Sequence, residues 1–470
     1  MTDPLMENAF QTNTFGFNLP CRQFTISAER TRERRMPMVD EFILRTLNIV
    51  ESITVARLAR FFGFDGRDLG IAISDLQARS LVILEGEYLS LHQSAKELFR
   101  TSDDSAPTII VTEPMYAAVW FDLITKNMMS GRRLRNVQHL ISLRGTSTSD
   151  SFGVDQARAT FNSQFRDYLR YVRNDKNADQ WSLYSILDVH AGRFSYAQIS
   201  GSEQLTLNPT PKLKTILLST EFENPTRIRQ LTDAMSSELA RREYVDTTQS
   251  ARSDFSRVLD SDALLRATTS DGYLDLSEWI RIESLAGGDS SEPFVGHPYT
   301  ETNRRRIASM LERNEIEVRD DELWELWWLR PGGSKWGATE DLPDTLEFLR
   351  GMVREWSKGA GSLSTTLLSP AGVQPKDVMP FQRVFDRGAH AQPGKFSLAL
   401  EIMVIPDALA IVTVMVSLSP TVSVPIGCIT TDRDRVRRVI NASRIDRYIA
   451  EAKPLWQRNS SQRRGAETVA

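Results

Sequence analysis

Residues 39–92 have the sequence VDEFILRTLNIVESITVARLARFFGFDGRDLGIAISDLQARSLVILEGEYLSLH, in which helical and strand-like patterns follow one another. Apolar side chains at helical spacing predict three short helices, the second running from an N-cap at Thr54 to a left-handed C-cap at Gly63. Two strand-like runs then flank residues 85–87, so a β-hairpin is predicted to follow the third helix.

This order of elements resembles the winged helix-turn-helix family, and the resemblance covers residues 38–97. It implies a DNA-binding module whose third helix reads the major groove, with Arg67 and Arg79 as candidate contacts. Acidic residues outnumber arginines in this segment, and Glu85 and Glu87 at the tip of the wing would repel a phosphate backbone. A protein partner is therefore the open alternative for the same module.

The composition of the chain is that of a globular protein. It has 470 residues, a formal net charge of -4, 41% hydrophobic and 25% charged residues, enough for about three domains. Cys21 and Cys428 cannot form a zinc site or a disulfide framework by themselves, so a reducing, cytoplasmic location is expected. Residues 1–20 show no signal-peptide pattern, and charged residues interrupt the apolar stretch 396–418, so no membrane association is expected.

We predict an α+β fold with an N-terminal winged helix, a mostly helical mixed middle region and a C-terminal β-strand pair with a closing helix. One middle helix is predicted around Met115 and Trp120. The predicted divisions are a basic flexible arm at 1–37, the winged helix at 38–97, a mixed α/β region at 108–220, a helical region at 221–360, a C-terminal α/β segment at 361–455 and a disordered tail at 456–470.

Two further segments concentrate cations. No acid occurs between Lys126 and Arg144, and arginines cover much of a helix predicted after Thr431 and Asp432. We predict that both segments and the third helix of the winged helix form a composite phosphate-binding surface. The candidate contacts are Arg67, Arg79, Lys126, Arg132, Arg133, Arg135, Arg433, Arg437 and Arg438. Solvated helix faces without a ligand are the alternative for both segments.

Three tryptophans, Trp324, Trp327 and Trp328, alternate with leucines just before Pro331. Their spacing predicts a short helix that is apolar nearly all round. Most of this helix would lie in the core. A contact between subunits is the alternative, with the three tryptophans as the candidate protein interface.

Compact catalytic and metal-binding motifs are absent from the sequence: the five histidines lie far apart, and no P-loop, HEXXH or GXSXG pattern occurs. Residues 400–407, LEIMVIPD, resemble the strand-turn-strand that carries the HXKXXXXD motif of the phospholipase D superfamily. Only Asp407 matches, since Leu400 stands at the histidine position and Ile402 at the lysine position. The resemblance implies a catalytically inactive phosphodiesterase-like fold, as in TrmB-type regulators.

The sequence therefore predicts a non-catalytic, DNA-associated winged-helix protein of a prokaryotic cytoplasm, with double-stranded DNA as its partner and with no metal or cofactor. An accessory subunit of a DNA-processing or antiphage defence module and a transcription regulator are both open. A protein adaptor with partner subunits is the alternative function. An enzyme with a dispersed active site is the second alternative.

Overall fold

The computed structural model describes residues 9–100, 108–129, 131, 134–144, 152–208, 210–218, 224–241, 249–313, 323–359, 361–391 and 399–458. The fold is mixed α+β, as predicted. Within these ranges the strands form three sheets, of six, eight and three strands.

The N-terminal half contains two of the sheets and seven α-helices in the described ranges. Its elements are β1 (Ala9–Arg35), α1 (Met38–Val50), β2 (Ser52–Thr54), α2 (Val55–Phe62), α3 (Gly66–Ala78), β3 (Val82–Glu85), β4 (Tyr88–Leu91), α4 (Gln93–Arg100), β5 (Thr108–Asp122), β6 (Met128–Met129), β7 (Ile141–Ser142), α5 (Val154–Ser163), α6 (Phe165–Asp167), β8 (Trp181–Thr206), β9 (Lys212–Leu217) and α7 (Pro225–Ala240).

The C-terminal half is built around the eight-stranded sheet. Its elements are α8 (Gln249–Leu259), α9 (Ala263–Arg266), α10 (Leu276–Gly287), β10 (Ser291–Val295), α11 (Glu301–Arg313), β11 (Leu323–Leu329), α12 (Asp341–Trp356), β12 (Ser362–Ser369), α13 (Pro375–Val378), β13 (Arg387–His390), β14 (Leu400–Ile405), β15 (Leu409–Ser419), β16 (Val422–Thr430), α14 (Arg433–Ser443), α15 (Ile445–Glu451) and β17 (Lys453–Gln457).

Strand β1 runs through the six-stranded sheet, so the flexible arm predicted for residues 1–37 is wrong for residues 9–35. It pairs antiparallel with β5 on one side and with β8 on the other. Phe24, Ile26 and Ala28 alternate with polar residues and are buried, a period of two that the neighbouring arginines obscure. Residues 1–8 lie outside the described ranges.

The segment predicted as a helix around Met115 and Trp120 is strand β5. Its odd-numbered residues from 111 to 119 point into the protein and its even-numbered residues from 110 to 118 are exposed. This alternation is typical of a strand with one covered face. The helix prediction failed because both exposed and buried positions carry apolar side chains.

Residues 36–107 are inserted between β1 and β5, where Arg35 pairs with Thr108. The described part of this insertion is a module in which α1, α2 and α3 pack around one apolar core, covered on one side by the sheet β2–β4–β3. Helix α2 starts after Thr54 and ends at Gly63, whose φ is +68°. The three helices and the hairpin therefore lie where the sequence predicts them.

The eight-stranded sheet has the order β10-β16-β15-β14-β11-β12-β13-β17 and is covered by helices on both faces. Helices α8, α10 and α14 contribute to the apolar core on one face, and α11 and α12 to the core on the other. The predicted strand pair is β14 and β15, joined by a turn at Asp407, and the predicted closing helix is α14. The sheet contains six further strands beyond the pair that the sequence predicts.

The helix predicted for the tryptophan segment is wrong. Residues 323–329 form strand β11, which is parallel to β12 and antiparallel to β14. At the C-terminus, β17 includes residues 456 and 457 of the predicted disordered tail, and residues 459–470 lie outside the described ranges. Of the helices that the structure describes, none is both long and apolar enough to cross a lipid bilayer.

Hydrogen bonds connect the two large sheets through the loop before α12. The backbone N–H of Gly16 donates to the Ala338 carbonyl at 2.7 Å, and His139 Nε2 lies 3.2 Å from the Thr339 carbonyl. Burial lowers the pKa of His139 to about 4, so the ring is neutral at pH 7 and donates through Nε2–H.

Candidate nucleic-acid interface

Three arginines project from α2 and from the first turn of α3. Arg57 and Arg60 are one turn apart on α2, and Arg67 follows the N-cap of α3. All three are exposed, and among the described residues no ion pair joins any of them to an acid. Their charges are therefore available to an anionic ligand.

The outward face of α3 carries side chains that suit the edges of bases. Leu69, Ile73 and Leu76 are buried beneath the helix. The opposite stripe exposes Arg67, Gly70, Ile71, Ser74 and Gln77. Arginine recognises guanine and glutamine recognises adenine through paired hydrogen bonds, and an aliphatic side chain contacts the thymine methyl group. Gly70 has open space beside it, so a ligand can approach the backbone closely.

Local capping holds the N-terminus of α3 in place. Asp65 Oδ1 accepts hydrogen bonds from the backbone N–H groups of Arg67 and Asp68, each at 2.8 Å. Gly63 adopts the left-handed conformation that ends α2 and turns the chain toward α3. These two residues set the direction in which Arg67 leaves the helix.

Arg79, the second arginine predicted to contact DNA in this module, is engaged elsewhere. Its guanidinium lies 3.4 Å from Asp40 on α1 and also pairs with Asp75 one turn earlier. Burial raises the pKa of Asp40, and the neighbouring arginine opposes that shift. Arg79 therefore ties the end of α3 to α1, and a phosphate would have to compete with two carboxylates for it.

The basic segment 126–144 contains turns and short strands. Lys126 is exposed with a φ of +60°, and Arg135 is exposed with its backbone N–H bonded to the Tyr196 carbonyl at 2.9 Å. Arg132 and Arg133 lie outside the described residues. Their part in a phosphate-binding surface stays a prediction.

The predicted arginines of α14 have acidic partners. Arg433 and Arg437 lie 3.5 and 2.8 Å from Asp407, and Arg438 lies 3.3 Å from Asp260. About half of each arginine side chain remains exposed. A phosphate would have to draw these guanidinium groups away from carboxylates, which makes α14 a weaker anion site than α2 and α3.

The three tryptophans predicted as a protein interface belong to the sheet. Trp324 and Trp328 are buried, and Trp327 is half-buried with its Nε1 donating to Glu325 at 3.1 Å. A partner could not reach the buried pair without unfolding the sheet. Trp324 and Trp328 are therefore core residues.

The positions that would carry phospholipase D chemistry are apolar. Leu400 and Ile402 are buried in the core on one face of β14, and Asp407 forms ion pairs with Arg433 and Arg437 of α14. Neither leucine nor isoleucine can attack phosphorus or stabilise its charge. Among the described residues, no group of three or more histidine, cysteine, aspartate or glutamate side chains is placed to hold a metal ion.

Sequence reasoning missed a buried carboxylate beside these positions. Glu401 is 1% exposed and points to the opposite face of β14. It accepts hydrogen bonds from Trp328 Nε1 at 2.8 Å, Trp336 Nε1 at 2.7 Å and His297 Nδ1 at 3.1 Å. The signal in the sequence is a single acid within an apolar strand. The geometry shows why that acid is tolerated, since buried charges require hydrogen-bond donors.

No family model and no curated protein matches this chain. Among solved structures, TrmBL2, an archaeal chromatin protein described as showing a novel mode of DNA binding, is similar over 35% of this chain and 54% of its own, with 9% identity and a TM-score of 0.21. NucT from Helicobacter pylori is similar over 35% of this chain and 98% of its own, with 8% identity and a TM-score of 0.21. The chain thus spans about half the length of TrmBL2. At these TM-scores the two likenesses carry no argument about function.

Proposed function

We propose that this chain is a non-catalytic, DNA-associated protein that binds duplex DNA through the α2–α3 surface of a winged helix. The order α1–β2–α2–α3–β3–β4 is that of winged helices, in which the third helix enters the major groove. The observation that carries the proposal is that some arginines of the module are paired with acids and others are not. Arg57, Arg60 and Arg67 have no acidic partner among the described residues, whereas Arg45 and Arg79 of the same module do.

The surface has the dimensions and chemistry of a groove-binding helix. Helix α3 has 13 residues and is therefore about 20 Å long. Its outward stripe would face the base edges, while Arg57 and Arg60 on α2 would contact phosphates beside the groove. Glu85 and Glu87 are exposed at the tip of the hairpin, so the wing is expected to stay away from the phosphate backbone. Binding through three arginines is expected to depend strongly on salt.

A role in binding without chemistry is supported by the C-terminal sheet. The apolar Leu400 and Ile402 replace the reactive residues of the motif that residues 400–407 resemble. An accessory subunit of a DNA-processing module and a transcription regulator both need DNA contact without a reaction of their own. The proposal covers both versions.

The test is fluorescence anisotropy of the full chain with a labelled random duplex between low and physiological salt. The wild-type protein should bind with an affinity that falls as salt rises. Arg57→Ala/Arg60→Ala/Arg67→Ala should weaken binding and reduce the slope of log K against log salt by about 3, roughly one for each arginine that no longer neutralises a phosphate.

The matched control is Lys176→Ala/Lys212→Ala/Lys214→Ala, which removes the same charge from exposed positions outside the module, outside the 126–144 segment and outside α14. This control should retain wild-type affinity. Equal weakening of binding in both variants would show that total charge governs binding. An unchanged salt slope in the α2–α3 variant would overturn the proposed surface.

A protein adaptor is the second candidate function. Phe61 and Ile71 are 70% and 63% exposed beside the three arginines, and apolar side chains of this size favour protein contacts. An adaptor would lose its partner in Phe61→Ala/Ile71→Ala and would show no salt-dependent DNA binding. Affinity purification distinguishes the two functions. It compares Phe61→Ala/Ile71→Ala and Arg57→Ala/Arg60→Ala/Arg67→Ala with the wild type by the proteins that each retains.

A further inference from the structure

The outer face of α1 is apolar along its length and faces solvent. Ile43, Leu44 and Leu47 on the inner face are buried in the module core. On the outer face, Met38, Phe42 and Ile49 are 71%, 51% and 80% exposed, and Val39 and Val50 are exposed as well. A surface helix normally turns polar side chains to water, so this face has the character of an interface.

The spacing on this face is that of a helix-pairing seam. Val39, Phe42, Thr46 and Ile49 follow one another at intervals of three, four and three residues, the pattern of a and d positions in a coiled coil. The Thr46 hydroxyl donates to the Phe42 carbonyl at 2.8 Å within the helix. The seam therefore presents no polar group that needs a partner outside its own helix.

The seam is complementary to itself in one direction. An antiparallel pair of α1 helices centred on residue 44 places Phe42 opposite Thr46 and Val39 opposite Ile49 of the second copy, twice over. Each large side chain then meets a smaller one. A parallel pair would oppose Phe42 to Phe42 and Thr46 to Thr46, leaving a crowded layer beside a gap.

The charges at the helix ends favour the same direction. Glu51, at the C-cap of α1, is exposed and has no ion pair among the described residues. Antiparallel pairing places it beside residue 37 of the second copy, near Arg34 and Arg35, which are exposed and likewise unpaired in the described ranges. Pro37 offers the first turn of α1 no side-chain cap, so a carboxylate there also meets free N–H groups.

The acids of the first turn do not oppose this approach, because each is already paired. Asp40 lies 3.4 Å from Arg79, and Glu41 lies 2.8 Å from Arg45. We propose that α1 pairs antiparallel with α1 of a second copy about a two-fold axis at residue 44, so that the protein forms a homodimer through its inserted module. Such an isologous contact uses the same patch twice.

Sedimentation equilibrium of the full chain tests the dimer. A single helix pair is smaller than a standard interface, so the dimer should form reversibly between about 1 and 100 µM. Phe42→Glu places a carboxylate in the seam and should leave only monomer. Tyr116→Glu changes a similarly exposed aromatic side chain on β5 and should dimerise like the wild type. A wild type that stays monomeric throughout, or a Phe42→Glu variant that dimerises equally, overturns the proposal.

Engineered cysteines test the direction. Val39→Cys and Ile49→Cys chains should form a disulfide-linked heterodimer when mixed under mild oxidation, whereas neither should cross-link alone. Within one helix the two positions are about 15 Å apart, beyond the reach of a disulfide. The native Cys21 and Cys428 are buried, and burial raises the pKa of Cys21 to about 12, so neither competes. Cross-linking of Val39→Cys with itself, or no cross-link in the mixture, overturns the antiparallel pair.

The proposed dimer and the proposed DNA surface can be tested independently of each other. The seam lies on α1 and the proposed DNA contacts lie on α2 and α3. The Arg57→Ala/Arg60→Ala/Arg67→Ala variant should therefore dimerise like the wild type, whatever its affinity for DNA.

Discussion

Neighbouring residues decide which arginines of this protein can bind an anion. Arg45 and Arg79 each have an acid four residues earlier, and both form ion pairs with it. Arg57, Arg60 and Arg67 have no acid three or four residues away on either side. Side chains at this spacing share a helix face. The sequence prediction did not use this signal, since it grouped Arg79 with Arg67 and left out Arg57 and Arg60. The partners of Arg433 and Arg437 come from the distant turn at Asp407.

Glu401 allows a prediction at the scale of a single residue. Glu401→Ala leaves three buried donors, on Trp328, Trp336 and His297, without their acceptor. We expect the free energy of unfolding to fall by about 3–5 kcal/mol. Urea unfolding followed by tryptophan fluorescence measures this decrease.

Glu325→Ala is the control for that experiment, because Glu325 accepts from the half-buried Trp327. Its cost should be below about 1 kcal/mol. Equal unfolding midpoints for the two variants would show that the buried network does not stabilise the fold.

At the scale of elements, two glycines of the inserted module should respond in opposite ways. Gly63 has a φ of +68° at the end of α2, so Gly63→Ala should destabilise the module by about 1 kcal/mol. Gly70 lies within α3 in open space, so Gly70→Ala should stabilise it by about 1 kcal/mol. Hydrogen exchange of the α2 and α3 amides measures both. Changes of the same sign would contradict the assigned backbone conformations.

The helices predicted for β5 and β11 are both wrong, and for the same physical reason. In β11 the side chains of Trp324, Leu326 and Trp328 are buried at every second position. The intervening Leu323 and Trp327 are also apolar, so a period of two is hidden in the composition. The pairing with β12 and β14 decides the conformation, and contacts of this kind override local propensity.

At the scale of the whole molecule, the inserted module should be separable from the rest. Arg35 pairs with Thr108 across the base of the insertion, so their Cα atoms are about 5 Å apart. Replacing residues 36–107 by Asn-Gly should therefore close β1 and β5 into a hairpin. We expect this chain to fold with a thermal midpoint near that of the wild type, measured by circular dichroism, and to lose both DNA binding and dimerisation.

Two results would contradict that prediction. A deletion variant that does not fold would show that the sheet needs the module for stability. A variant that folds and still binds DNA would place the DNA site on α14 or on the 126–144 segment. Both belong to the composite phosphate-binding surface that the sequence predicts.

By itself, the sequence determined the features whose signals lie within a few residues: the helices and hairpin of residues 39–92 and the turn at Asp407 between β14 and β15. The tertiary structure decided the place of β1 between β5 and β8, the burial of the tryptophans and the network around Glu401. Those features depend on residues far apart in the chain, such as Arg32 beside Trp181. Strand pairing and burial are properties of such contacts, because a strand acquires its hydrogen-bond partners and its covered face only when the sheet assembles.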